Sequence, residues 1–178
     1  MSDSRQRQVE VFTGRSALIA CGLAWVLAGC VSDRRTPTSG GAIAKGPVER
    51  LHVITGPTAL NFDQVPGPDG FMARVYATGA KGGGTVLIVN GTLEVLMFDG
   101  LLKDPNPASS KPLRIWTYSA SELKPCGQRS SVGFAYVLTL PWGDAKPTRD
   151  KITIVARYVP PRGEPIYSGP TSISIAIK

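Results

Sequence analysis

The stretch Gly-Phe-Ala-Tyr-Val-Leu-Thr-Leu, residues 133–140, repeats large apolar side chains at every second position. Successive side chains of a β-strand point to opposite faces, so Phe134, Tyr136, Leu138 and Leu140 would lie together on one face. Turn-forming residues follow the stretch directly, in the sequence Pro-Trp-Gly-Asp. The stretch therefore predicts a strand with one face in a core, as is typical of antiparallel sheets.

Short runs of the same kind lie on both sides of this strand, separated by turn signals. The other strand candidates are residues 49–55, 71–77, 85–89, 92–98, 113–118, 151–158 and 171–177. No helix of crossover length separates them, which disfavours a parallel sheet. The spacing predicts an all-β fold, an antiparallel β-sandwich of seven to eight strands with an immunoglobulin-like or transthyretin-like architecture. The 20 Gly and 15 Pro residues agree with many short strands joined by turns.

Two local signals predict connections between elements. Asn90-Gly91, between the runs 85–89 and 92–98, predicts a β-hairpin, because a type I′ turn needs positive φ at both central residues. Ser119 and Glu122 have the spacing of a capping box, which predicts one short helical turn ending near Pro125.

The N-terminal segment has the features of an export signal. Arg5, Arg7 and Arg15 precede an uncharged, largely apolar run at residues 16–27, which is too short to span a bilayer comfortably. The run ends in Leu27-Ala28-Gly29-Cys30, which resembles the lipobox of bacterial lipoproteins. This resemblance implies cleavage before Cys30, acylation of its thiol with chains such as palmitate, and acylation of the new N-terminus.

The same resemblance divides the chain into three parts. We expect a lipoprotein signal peptide at residues 1–29, a flexible tether at 30–47 that is rich in Ser, Thr, Gly and Pro, and a β-sandwich domain at 48–178. Acyl chains on Cys30 would anchor the protein in the bacterial cell envelope without a membrane-spanning helix. Val31 follows Cys30 directly, in place of the Asp that retains enterobacterial lipoproteins at the inner membrane, which favours the outer membrane.

Residues that could carry catalysis or bind a metal are sparse. His52 alternates with Leu51 and Val53, so we expect a solvated histidine on the outer face of a strand. A zinc site needs three or four nitrogen or sulfur ligands, and a single His with Cys126 does not supply them. Once Cys21 leaves with the signal and Cys30 is acylated, Cys126 is expected to be a free thiol. We therefore predict a non-enzymatic protein without a metal or cofactor.

The acidic residues and glycines offer only weak alternatives to this interpretation. Asp63 and Asp69 flank one loop, and Asp99 and Asp104 flank another. Without a calcium-loop pattern they are expected to form turns. A two-carboxylate glycosidase stays an open alternative, because its geometry depends on separation in space. The sequence Lys81-Gly-Gly-Gly-Thr has its Lys before the glycines, unlike a phosphate-binding loop.

The charge pattern bears on the partners. The net charge is +7, but Arg34-Arg35 is the only adjacent basic pair, so we do not expect nucleic-acid binding. If Leu113 and Ile115 face the core, then Arg114, Trp116 and Tyr118 point outward and, with Trp142, form a binding face for a protein or a glycan. The opposite orientation, with the large side chains packed inside the sandwich, is the other possibility and the favoured one.

A second resemblance concerns the domain itself. Asn61-x-Asp63, a Gly-Pro-rich turn and Arg74-Val75-Tyr76 resemble TssJ-type lipoproteins of type VI secretion. Those are small β-sandwiches that connect an inner-membrane partner to the outer membrane through protein contacts. The expected function is a lipid-anchored envelope lipoprotein whose sandwich binds a protein partner or assists assembly. The alternative is a carbohydrate- or cell-wall-binding module that uses exposed aromatic side chains.

Overall fold

The computed structural model of this protein describes residues 43–80, 84–102 and 106–175. The signal peptide, the lipobox with Cys30, most of the expected tether, Lys81 and Asp104 lie outside the described residues. Within the described ranges, no helix is long and apolar enough to cross a bilayer.

The described residues form nine strands in two antiparallel sheets, as predicted for an all-β sandwich. One sheet has the order β1-β2-β6-β5, and the other has the order β4-β3-β7-β8, with β9 also paired to β7. The strands are β1 (Arg50–Thr55), β2 (Gly70–Thr78), β3 (Thr92–Asp99), β4 (Arg114–Ser119), β5 (Gly127–Ser130), β6 (Gly133–Pro141), β7 (Lys151–Val159), β8 (Ile166–Tyr167) and β9 (Thr171–Ser174).

The core lies between the two sheets and consists of alternate side chains from each. Phe71, Val75 and Leu138 from one sheet and Val95 and Ile154 from the other belong to one continuous buried cluster. Each apolar side chain buried in this way contributes about 1.5–3 kcal/mol relative to exposure. The period-two pattern read from the sequence is therefore the physical cause of the sandwich.

The stretch at residues 133–140 forms β6, as predicted. Tyr136, Leu138 and Leu140 are buried in the core, and Phe134 packs against it. β6 pairs with β5 over residues 133–136 and with β2 over residues 136–141, so each part of the strand has a hydrogen-bonded neighbour. The short strands β5 and β8 were not predicted, because neither has a run of alternating apolar residues.

The predicted hairpin at Asn90-Gly91 is wrong. β3 pairs with β4 along one edge and with β7 along the other, so residues 85–89 have no free edge of β3 to bind. They instead make single bridges at Thr85 and Val86 and cross from one sheet to the other. Gly91 has the expected positive φ of 68°, but it lies directly before β3 and not in a hairpin turn.

The predicted helical turn is confirmed as α1 (Ala120–Leu123). The Ser119 hydroxyl accepts from the amide of Glu122, while the Glu122 carboxylate accepts from the amide of Ser119. Leu123 on this turn is buried in the core and fixes the passage from β4 to β5. Before β1, the amide of Ala44 bonds to the carbonyl of Thr85 over 2.8 Å, within the segment 30–47 that was expected to be tether.

Candidate functional site

The predicted binding face is centred on β4, an edge strand of the second sheet. Among the described strands, β4 pairs only with β3. Its register places Ile115 opposite Leu96 and Trp116 opposite Val95. Since Val95 points into the core and Leu96 points out of it, Trp116 faces the core and Ile115 faces outward.

The structure therefore decides the orientation that the sequence left open. Trp116 and Tyr118 pack half-buried against the core, while Leu113 and Ile115 are 39% and 42% exposed on the outer side. The expectation that Arg114, Trp116 and Tyr118 point outward together is corrected accordingly.

Trp142 is likewise not part of an exposed face, since it is only 2% exposed. Arg114 donates to the backbone carbonyl of Trp142, and its guanidinium lies 5.2 Å from the ring centroid of Trp116. The indole nitrogen of Trp116 donates to the carbonyl of Pro141 over 3.2 Å, and Phe71 meets the Trp116 ring edge-on. Arg114, Trp116 and Trp142 thus come together, but as a brace that joins β4 to the end of β6.

This brace reduces the surface on which a sugar ring could stack. One face of Trp116 is occupied by the Arg114 guanidinium, and Trp142 is enclosed by the core. The indole nitrogen of Trp142 is buried and has no hydrogen-bond partner among the described residues. Trp142 therefore contributes packing area, and no polar group through which a glycan could bind.

The outer side of β4 continues into an apolar strip. Ile115, Leu96 and Val155 lie in register across β4, β3 and β7. Leu96 and Val155 are buried with Phe98 in a second, smaller cluster, against which Leu102 and Tyr167 pack. Ile115 is the exposed end of this strip, at the free edge of the sheet.

The polar row next to the strip is held by an ion pair. The Arg157 guanidinium donates to the Glu94 carboxylate and, over 3.4 Å, to the Tyr167 hydroxyl. The hydrogen bond to Tyr167 and the charge of Glu94 raise the pKa of Arg157. This row limits the apolar strip on one side and orients β8 on β7.

The other residues considered for chemistry occupy structural positions. His52 is exposed on the outer side of β1, as predicted. Asp63 accepts from the amide of Val65, and Asp69 accepts from the amide of Phe62, so both aspartates stabilise the loop before β2, as predicted. No group of three metal-ligating side chains occurs in the part of the chain that the structure describes.

Asp99 stabilises a second loop. Its carboxylate accepts from the Thr148 hydroxyl over 2.5 Å and from the amides of Thr148 and Arg149 over 3.1 Å. Partial burial acts to raise the pKa of Asp99, but these hydrogen bonds outweigh it and hold the pKa below its usual value. The ionised carboxylate therefore fixes the β6–β7 loop against the end of β3.

Cys126 is a free thiol in the described residues, as expected. It is half-buried in the turn after α1, where its Sγ donates weakly to the Glu122 carbonyl over 3.6 Å.

Comparison with protein families, with curated proteins and with solved structures finds no match for this chain.

Proposed function

We propose that this protein is a lipid-anchored lipoprotein of the bacterial envelope whose β-sandwich binds a protein partner along the edge strand β4. The acyl chains on Cys30 would hold it on a membrane, and Val31 in place of an Asp directly after Cys30 favours the outer membrane. The observation that supports the binding role is that β4 has one strand neighbour and exposed aliphatic side chains beside its free edge.

An edge strand of this kind suits the addition of an extended segment from a partner. The free edge offers backbone N–H and C=O groups, which give affinity, and the alternating side chains give specificity. Ile115 and Leu113 would meet the partner on the outer side, and Trp116 and Tyr118 on the inner side. Natural proteins often protect such edges with Lys, Pro or a short strand. The six residues of β4 contain neither Lys nor Pro.

The test is a crosslinked pull-down of the full chain from membranes of the bacterium that produces it, with Cys30→Ser and Ile115→Lys as variants. Placing a charge at the apolar contact should reduce the recovered partner at least tenfold. Ile54→Lys is the matched control, because Ile54 is an exposed isoleucine, 54% accessible, on β1 at the edge of the other sheet. It should recover the partner at the wild-type level.

Two outcomes would contradict the proposal. Equal losses with Ile54→Lys and Ile115→Lys would show that β4 has no special role. Recovery of glycan or peptidoglycan fragments alone would favour the carbohydrate-binding alternative. The non-catalytic interpretation has its own test, since a saturable hydrolytic activity that depends on an Asp or Glu of the purified protein would overturn it.

A further inference from the structure

One end of the sandwich, here called the tether end, is closed by residues 84–91. At this end β2 finishes at Thr78, where Thr85 bridges to it, and β3 begins at Thr92, opposite Val159 at the end of β7. Ile88 is buried in the core, and its amide donates to the Tyr136 hydroxyl over 2.8 Å. Residues 84–91 are therefore fixed at their centre, and their alternate side chains point away from the core.

Exposed aliphatic side chains lie on two neighbouring loops of the tether end. Val89 is 75% exposed and Leu87 is 38% exposed, both on the crossing segment. Val132 is 69% exposed in the turn between β5 and β6, and this turn lies next to Thr85, whose hydroxyl accepts from the amide of Phe134. Aliphatic side chains on adjacent loops can enter the boundary between headgroups and acyl chains together.

Cations surround these aliphatic residues. A groove of about 800 Å³ runs beside Leu87 and Val89, and its lining includes Lys124 and Arg129 but no carboxylate. A second groove of about 630 Å³ on the other side of the same two residues includes Arg162 and Glu164. The described cations at the tether end are Lys45, Arg50, Lys124, Arg129 and Arg162, and the described carboxylates are Glu49, Glu122 and Glu164. The local charge is therefore positive.

The chain that leads to the lipid leaves the domain at the same end. Ile43, the first described residue, lines the larger groove together with Leu87 and Val89. Only residues 31–42 separate it from Cys30. If the expected tether behaves as a flexible coil, these twelve residues have a root-mean-square span of about 20 Å. The nine residues of β6 extend about 30 Å, so the opposite end of the sandwich lies farther from an anchored lipid.

We infer that the tether end docks on the surface of an anionic lipid bilayer, with Val89 and Val132 in the interface and Lys124 and Arg129 against phosphate groups. This inference rests on the proposed acylation of Cys30, which raises the effective concentration of the domain at the membrane. Docking holds the strands at a steep angle to the membrane, and β4 extends from the docked end at Ser119 toward the envelope space at Arg114.

The test uses the full chain reconstituted in vesicles of phosphatidylcholine and phosphatidylglycerol, with or without brominated acyl chains. Val89→Trp places a fluorescent probe at the tether end. The matched control is Val65→Trp, because Val65 is 66% exposed and belongs to the β1–β2 loop at the opposite end. Brominated lipid should quench the added emission of Val89→Trp at least twofold more than that of Val65→Trp. Each of Lys124→Glu and Arg129→Glu should weaken the docking about fivefold.

The outcomes separate docking from anchoring. Flotation of the wild type with the vesicles, and its loss in Cys30→Ser, tests the anchor. If the wild type floats but brominated lipid quenches Val89→Trp and Val65→Trp equally, docking is refuted while the anchor stands. If neither the wild type nor Cys30→Ser floats, the proposed lipid anchor is refuted, and docking is refuted with it. Loss of a crosslinked protein in Val89→Asp, with no selective quenching in Val89→Trp, would assign this end to a protein partner and refute docking on lipid.

Discussion

The hydrogen bond between Ile88 and Tyr136 holds the crossing segment, residues 84–91, against β6, and its contribution to stability can be tested. Ile88 is buried, and its amide donates to the Tyr136 hydroxyl over 2.8 Å across 48 residues of sequence. Tyr136→Phe removes only the oxygen and leaves the ring in place. The change therefore isolates this one contact between the crossing segment and β6.

The expected loss of stability in Tyr136→Phe follows from the burial of the Ile88 amide, which is the donor. A buried amide without an acceptor costs about 1–3 kcal/mol, so we expect the free energy of unfolding to fall by about 1.5 kcal/mol. For a domain of this size, each kcal/mol lowers Tm by about 3–5 °C. The midpoint should therefore fall by about 5–8 °C. The urea m-value should stay unchanged, because the surface exposed on unfolding is the same.

Tyr76→Phe is the matched control for this measurement. Tyr76 is also a buried tyrosine, but its hydroxyl makes no hydrogen bond to the described residues. Its replacement should change Tm by less than about 1 °C. Amide hydrogen exchange gives an independent readout, since Ile88 should lose protection only in Tyr136→Phe. Equal melting temperatures for Tyr136→Phe and wild type, with unchanged exchange at Ile88, would refute the crossing of residues 84–91 as described.

Three further predictions concern other positions. Asp99→Asn should cost about 1 kcal/mol at pH 7 in urea titrations. The difference from wild type should shrink as the pH falls below the ordinary Asp pKa of about 3.9, because a lowered folded-state pKa gives stability that is lost as the pH falls through it. Gly91→Ala should lower stability by more than about 2 kcal/mol in the same titrations, since φ is 68° and a Cβ would clash with the Val159 carbonyl oxygen. An unchanged midpoint would contradict the tight entry into β3. Burial raises the pKa of Tyr136 and Tyr158, so the stability that their neutral hydroxyls contribute should be complete below about pH 10 and be lost as the pH rises through the raised values, which an ultraviolet titration of tyrosine ionisation checks.

The two proposals give the sandwich two separate working surfaces. The tether end, with Val89 and Val132 exposed, would face lipid, and the edge strand β4 with Ile115 would face a protein. Because β4 runs from one end of the sandwich to the other, a segment that adds to it would extend away from the membrane. This arrangement fits a protein that holds an envelope partner at a fixed distance from a bilayer.

Much of the fold was readable because local patterns and global packing agree. The alternation in β6 specifies its face whatever lies beside it, and the capping box at Ser119 and Glu122 acts within four residues. The hairpin predicted from Asn90-Gly91 is wrong. The turn signal is strong, but both edges of β3 are paired, with β4 and with β7. A turn motif reports the local backbone conformation, and it carries no information on which strands compete for an edge.

The candidate site shows the same limit. The sequence identified β4 and its alternation, but a period of two specifies that two faces exist and leaves open which one is buried. Arg114, Trp116 and Trp142 lie together because β4 and the end of β6 are neighbours across the sandwich, a relation between residues 25 or more positions apart. The tether end was not predicted either, since Val89, Val132 and Lys124 belong to three separate connections.

The sequence by itself therefore determined what depends on short-range chemistry: the all-β class, the positions of most strands, the capped turn at Ser119, and the turn-forming roles of Asp63 and Asp69. Only the tertiary structure decided the strand order, the crossing of residues 84–91, the inward orientation of Trp116 and the exposure of Ile115. The physical reason is that propensity, capping and turn geometry act over a few residues, whereas edge pairing and burial depend on which distant strands lie together in the packed core.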